Sequence, residues 1–145
     1  MFFGQYEHTI DEKGRITIPA RFRESLEYGA YITRGFDNNL ILLTKETFDK
    51  ISKQMTHLSI TDPDARQLSR LIFSNANEVE FDKAGRILLQ GFLKKAANLD
   101  SAAMVVGAGV YIEIWNPDSW KSYMLQLEDT EASNKAFAPL DLSVE

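Results

Sequence analysis

Apolar and polar residues alternate roughly from Tyr6 to Ile10, the period-two pattern of a strand with one buried face, and Val79 to Phe81 reads the same way. Each segment runs into a glycine turn, at Gly14 and at Gly85, after which Ile16 to Ile18 and Ile87 to Leu89 predict a second strand. Glycine suits such a connection because positive φ costs it nothing, and Asp11 and Asp82 can accept hydrogen bonds from the loop amides. Pro19 is then placed for the first turn of a helix in which Phe22 and Leu26 form an i, i+4 apolar pair; the second half has Gln90-Gly91 there instead. Two further pairs of apolar stretches, Ala30 to Thr33 with Leu40 to Leu43 and Ala103 to Val106 with Tyr111 to Trp115, flank glycine-containing loops and predict hairpins.

Both halves close with a helix start. Thr44-Lys45-Glu46 precedes Phe48, Ile51 and Met55, and Asn116-Pro117-Asp118 precedes Trp120, Tyr123, Met124 and Leu127, spacings that give each helix one apolar face. Between the halves, Asp62-Pro63-Asp64 has an N-cap residue followed by proline at the first helical position and leads into Leu68, Leu71 and Ile72. This predicts a helical connector rather than a flexible linker.

The two halves read alike because the chain repeats. Asp11-Glu12-Lys13-Gly14-Arg15-Ile16 and Asp82-Lys83-Ala84-Gly85-Arg86-Ile87 both spell D-x-x-G-R-I, 71 positions apart. At the same offset Phe22 meets Leu93, and after a one-residue slip Glu46 and Phe48 meet Asp118 and Trp120. We read two copies of a small βαβ-type half-domain: a first half at 1–60, a helical connector at 61–77, a second half at 78–127 and a tail at 128–145. At roughly 45 to 70 residues, each half buries too little surface to be comfortably stable alone. The copies are therefore expected to share one core about a pseudo-two-fold axis, and residual apolar edges can drive self-association.

Composition narrows the function classes. With 44% apolar and 11% aromatic residues in 145, a packed core is within reach. There is no cysteine, which excludes disulfides, thiolate metal sites and a cysteine nucleophile, and fits a reducing cytoplasm. The start, Met1-Phe2-Phe3-Gly4-Gln5, turns polar too early for a signal peptide, and no run approaches the ~20 apolar residues of a membrane helix, so no membrane association is expected. His8 and His57, the two histidines, have no metal-ligand spacing, and Gly107-Ala108-Gly109 lacks the rest of a phosphate-binding fingerprint. Asp62 and Asp64 read as helix capping, and nothing selects a general acid/base pair. We expect no enzyme, no cofactor and no small-molecule ligand.

The formal charge of -5 is uneven. Residues 1–127 carry 15 basic and 16 acidic side chains, whereas residues 128–145 carry five acidic and one basic. Most of the acidity is thus terminal, and the stretch from Asp11 to Arg23 is net basic, with Lys13, Arg15, Arg21 and Arg23 against Asp11 and Glu12. Lys94 and Lys95 follow the second motif. In each D-x-x-G-R turn an aspartate four residues earlier can brace the arginine, whose rigid fork matches guanine O6 and N7 or a phosphate. One such pair by itself is an ordinary surface ion pair of little energetic weight. Two at matching places point to a duplicated functional loop, with Asp11, Lys13, Arg15, Arg21, Arg23, Asp82, Lys83 and Arg86 as candidate DNA-binding residues.

The opening, Met1-Phe2-Phe3-Gly4-Gln5-Tyr6-Glu7-His8-Thr9-Ile10-Asp11-Glu12-Lys13-Gly14-Arg15-Ile16-Thr17-Ile18-Pro19, resembles that of MraZ proteins, and Asp82 to Arg86, Trp115 and the Pro117 helix start extend the resemblance over residues 1–127. The resemblance implies an α+β fold, mainly antiparallel β with short helices, in which two AbrB-like swapped-hairpin halves form a double-split β-barrel. It also implies a homo-oligomeric ring, an octamer or dodecamer, displaying D-x-x-x-R loops to spaced repeats in double-stranded promoter DNA. By the same resemblance the protein is a cytoplasmic, nucleoid-associated repressor of its own division and cell-wall gene cluster, with Arg15 and Arg86 reaching DNA and Lys13 and Lys83 assisting. The family's second motif commonly continues to a proline where Gln90-Gly91 stands, which predicts a less well braced second loop. A competing reading, an antitoxin-like or scaffold module, rests on Phe137, Leu140 and Leu142 in the acidic tail. Loss of partner capture on tail deletion, with DNA binding intact, would favour it.

Overall fold

The computed structural model describes residues 1–144; Glu145, the last residue of the tail, lies outside the described residues. The first half contains β1 (Gln5–Thr9), β2 (Arg15–Thr17), α1 (Ala20–Leu26), β3 (Ala30–Arg34), β4 (Leu40–Thr44) and α2 (Lys45–Thr56), and α3 (Pro63–Ser74) is the connector helix. The second follows the same order, with β5 (Asn77–Val79), β6 (Arg86–Leu88), α4 (Gly91–Ala96), β7 (Ala102–Gly107), β8 (Ile112–Trp115), α5 (Pro117–Leu127) and α6 (Thr130–Phe137), then a 3-10 turn at Ala138–Leu140.

The helix starts form where the capping residues predict. The Thr44 hydroxyl accepts from the Thr47 amide at 3.1 Å, Asp62 accepts from Asp64 at 2.9 Å, and Asn116 accepts from Ser119 at 3.0 Å, each relieving an N–H group that the first helical turn leaves unpaired. Pro19 differs from its expected place: it is the N-cap of α1 rather than a residue of its first turn, with an extended ψ of 138° that hands the chain over from β2. The acidic tail is partly helical, with the Asp129 side chain capping α6 through the Ala132 amide at 3.1 Å.

Strand pairing exchanges the halves. β1 leaves its own half to pair antiparallel with β7, Gln5 opposite Val106 and Thr9 opposite Ala102, while β5 pairs with β3, Val79 opposite Ala30. Hairpins β3–β4 and β7–β8 meet through β4 and β8, completing a six-stranded sheet in the order β1-β7-β8-β4-β3-β5. β2 and β6 form a separate two-stranded sheet with Ile16 opposite Ile87, and an Ile10–Ile16 bridge ties β2 back to β1. The architecture is α+β and mainly antiparallel; every named strand pair among the described residues is antiparallel, so the halves are not βαβ units in the parallel-crossover sense. β5 spans Asn77–Val79 instead of Val79 to Phe81, because its partner β3 begins at Ala30, opposite Val79. Phe81 turns inward and packs against the core instead.

One core serves both halves. Ile16, Ile18, Phe22 and Leu26 are buried with their counterparts Ile87, Leu89, Leu93 and Ala97, closed over by hairpin residues such as Leu42 and Ile114. A smaller cluster of Leu43, Phe48, Met55 and Ile72 lies where α2 and α3 cover the outer face of the first hairpin. The expected apolar face of α5 is only lightly covered: no residue of the helix is buried, and Trp120 and Tyr123 pack on Trp115 with ring centroids 5.3 Å away in each case.

Because the core is interleaved, Ile16→Ala and Ile87→Ala are each expected to cost about 2 to 5 kcal/mol. Urea unfolding followed by fluorescence and by far-ultraviolet dichroism should show one coincident transition for the native chain and both variants. Separate transitions for the two halves would contradict a shared core.

Candidate nucleic-acid interface

The two D-x-x-G-R turns are built alike, atom for atom. In the first, Asp11 N–H donates to the Arg15 carbonyl at 3.0 Å and Gly14 N–H to the Asp11 carbonyl at 2.9 Å, with Gly14 at φ +83°. One Asp11 carboxylate oxygen accepts the Lys13 and Arg15 amides at 3.0 and 2.8 Å, and the other takes Arg15 Nε at 2.7 Å. In the second, Asp82 N–H reaches the Arg86 carbonyl and Gly85 N–H the Asp82 carbonyl, both at 3.0 Å, with Gly85 at φ +76°. The Asp82 carboxylate accepts the Ala84 and Arg86 amides, both at 2.9 Å, and Arg86 Nε at 2.8 Å. The expectation of a weaker second loop is therefore corrected: its bracing lies within the loop, and a residue at position 90 has no part in it.

These contacts make each aspartate more than a partner in a surface ion pair. One carboxylate accepts three N–H groups, two from the backbone, so it sets the loop's shape and the orientation of the guanidinium together. An exposed ion pair stabilises little; its effect here is to restrict where the arginine fork can go. Among the described residues the terminal amines of Arg15 make no hydrogen bond and no ion pair outside their own loop, whereas Arg86 Nη1 lies 3.6 Å from the Asp11 carboxylate of the other loop. That cross-contact follows from β2–β6 pairing, with Arg15 opposite Leu88 and Thr17 opposite Arg86. It joins two loops 71 positions apart into one surface, and no local signal in the sequence announces it.

The remaining candidates divide. Lys13 and Lys83 are exposed but not equivalent: Lys83 occupies the place of Glu12, and the counterpart of Lys13 is Ala84. Arg21 is exposed and donates to the Tyr6 hydroxyl at 2.9 Å. Arg23 is half-buried, and its Nη1 donates to the Ile18 carbonyl at 3.1 Å. Among the described residues no group of histidine, aspartate and glutamate is placed to hold a metal ion, and no helix is long and apolar enough to cross a membrane.

The same repeat appears in comparison with known proteins. One family model, described as "MraZ protein, putative antitoxin-like", matches twice, over residues 1–71 and 72–141. The chain belongs to the MraZ family. The second match reaches past residue 127 into the acidic tail, so α6 falls within the family pattern, as most of α3 does in the first match. A relative from Thermomicrobium roseum is 46% identical over 83% of this chain and 84% of its own length. Relatives from Herpetosiphon aurantiacus and Moorella thermoacetica are each 43% identical over 89% of this chain and 90% of theirs. All three are named transcriptional regulator MraZ, so this is a family of transcriptional regulators and not of enzymes.

The carboxylates also give the loops a pH signature. The Arg15 backbone amide is the largest cause holding the Asp11 carboxyl below its ordinary 3.8; partial desolvation opposes it, and the Arg15 side chain and Lys13 amide reinforce it. Asp82 is lowered in the same way, first by the Arg86 backbone amide. A depressed carboxylate pKa stabilises the folded form above the unfolded value and loses that contribution as pH falls through the folded value. Carboxyl carbon shifts in an NMR titration should therefore place both midpoints below 3.8. Arg15 and Arg86 Nε–H signals should collapse with them. Midpoints at or above that value would show that the braces are absent in solution.

Proposed function

We propose that this chain is a DNA-binding transcriptional regulator that reads spaced promoter repeats through its two braced arginine loops. The observation that carries the reading is the paired geometry: two matching D-x-x-G-R turns, side by side, each presenting a guanidinium oriented by an aspartate. A pre-oriented fork loses little freedom on binding, which suits bidentate recognition of guanine or phosphate. Arg15, with its terminal amines unpaired outside their own loop, is the stronger candidate for a base contact. Arg86 shares its charge with Asp11 and is the candidate for a phosphate, with Lys13, Lys83 and Arg21 adding charge at the rim and Asp11 and Asp82 holding the forks. The family membership and the relatives' names support a role in transcription.

The finer reading is that the protein sits in the cytoplasm on the nucleoid and represses its own division and cell-wall gene cluster as a homo-oligomeric ring of eight or twelve subunits. A single chain carries a small basic patch, so repeated loops around a ring would raise affinity through effective concentration when sites are spaced to match. Sedimentation should then give one species of eight or twelve subunits; a monomer at micromolar concentration would remove the ring from the proposal.

Fluorescence anisotropy on DNA from upstream of its own gene, against a scrambled duplex and across a salt series, tests the core of the reading. The native protein should bind the cognate duplex selectively and lose affinity as salt rises. Arg15→Ala should cost about 1 to 3 kcal/mol on the cognate site alone if Arg15 forks a guanine, whereas Lys13→Ala should weaken both duplexes alike and flatten the salt slope. Equal, weak binding to both duplexes by the native protein would refute sequence-specific recognition.

A further inference from the structure

Gly85 is glycine for two separate reasons. Its φ of +76° is one. The other is space: a β-carbon at Gly85 would run into the guanidinium of Arg23, which lies directly over the glycine. Arg23 comes from α1 of the first half, and Gly85 belongs to the loop of the second. The same guanidinium donates to the Ile18 carbonyl at 3.1 Å, and the Ile18 amide in turn donates to the Gly85 carbonyl at 3.1 Å. Arg23 is thus stacked on the second loop and hydrogen-bonded to the residue that holds it.

The first loop is held differently. Its Gly14 carbonyl accepts from the Leu89 amide at 2.8 Å, the counterpart of the Ile18 contact. The space beside Gly14 faces backbone, with a β-carbon there 2.9 Å from the Leu89 carbonyl oxygen. Lys94, which stands where the repeat puts Arg23, offers its aliphatic stem, Cδ lying 3.8 Å from that position. A lysine stem packs, but it lacks the flat, multiply donating head that covers Gly85.

We infer that Arg23 is a positioning residue, a clamp that fixes the second D-x-x-G-R loop from the opposite half and so presents Arg86, while the first loop, without such a clamp, adapts to the DNA. The effect of Arg23 on DNA binding runs through Arg86 and not through a contact of its own. This rests on the proposal that the loops bind DNA, yet the clamp itself can be observed without DNA.

Two measurements on the full-length protein test it. Hydrogen exchange of the free protein should show faster exchange in Arg23→Ala at Ala84 to Arg86, with Lys13 to Arg15 and the core strands unchanged. Arg23→Lys should behave like Arg23→Ala, because it keeps the charge and loses the flat fork. In anisotropy, Arg23→Ala should weaken cognate binding about threefold to tenfold, with no further loss when added to Arg86→Ala and the full loss when added to Arg15→Ala. Equal losses in both backgrounds, or recovery of affinity by Arg23→Lys, would make Arg23 a direct DNA contact and overturn the inference. Faster exchange throughout the protein would make it a general stability residue and overturn it too. If Arg15→Ala and Arg86→Ala leave DNA binding untouched, the DNA reading fails while the exchange pattern still decides the clamp.

Discussion

The rest of the structure depends on strands that pair away from home. A hairpin such as β3–β4 or β7–β8 has an outer edge of unpaired backbone groups, and leaving such groups buried without partners is costly. Here β5 completes the edge of the first hairpin and β1 that of the second. The β1–β2 and β5–β6 segments are therefore threaded through each other, and β2 can meet β6 between them. This one exchange merges the apolar faces of both halves into a single core, and it brings the two strand-connecting loops to the same side.

That proximity gives the loops their character. Inside each, an aspartate ties backbone and guanidinium into one unit over five residues, a geometry complete before any tertiary contact is considered. Between them, Asp11 lies within 3.6 Å of Arg86, so one carboxylate serves its own arginine and its neighbour's. The consequence is asymmetry in a pair built to be alike: Arg15 pairs with its own aspartate alone, whereas Arg86 faces a second carboxylate, although both side chains are about one-third exposed. Arg23 adds to this by resting on the second loop alone.

Away from the loops the copies have diverged further. α2 and α3 cover the outer face of the first hairpin and bury Phe48, Met55 and Ile72. α5 and α6 occupy the same places in chain order, yet neither buries a residue, and Phe137 at the end of α6 and Leu140 in the 3-10 turn after it are exposed. Duplication preserved the strand framework and the turns, which are constrained by pairing and by glycine geometry. The helices outside the sheet answer to fewer contacts.

What could be read from the sequence is what contiguous residues settle among themselves. The D-x-x-G-R turn, the caps at Thr44, Asp62 and Asn116, the hairpins and the repeat at offset 71 depend on hydrogen bonds and steric limits within a few positions, so their residues carry them openly. The expectation of a weak second loop failed because it leaned on a residue four positions beyond the arginine, whereas the brace closes within the turn. The displaced start and end of β5, the exchange of strands, the Asp11–Arg86 contact and the seat of Arg23 over Gly85 were decided by the tertiary structure. Each joins segments about 50 to 100 positions apart, and at such separations the partner is chosen by which packing closes the core and pairs the outer edges of both hairpins, a competition that no single stretch of sequence decides.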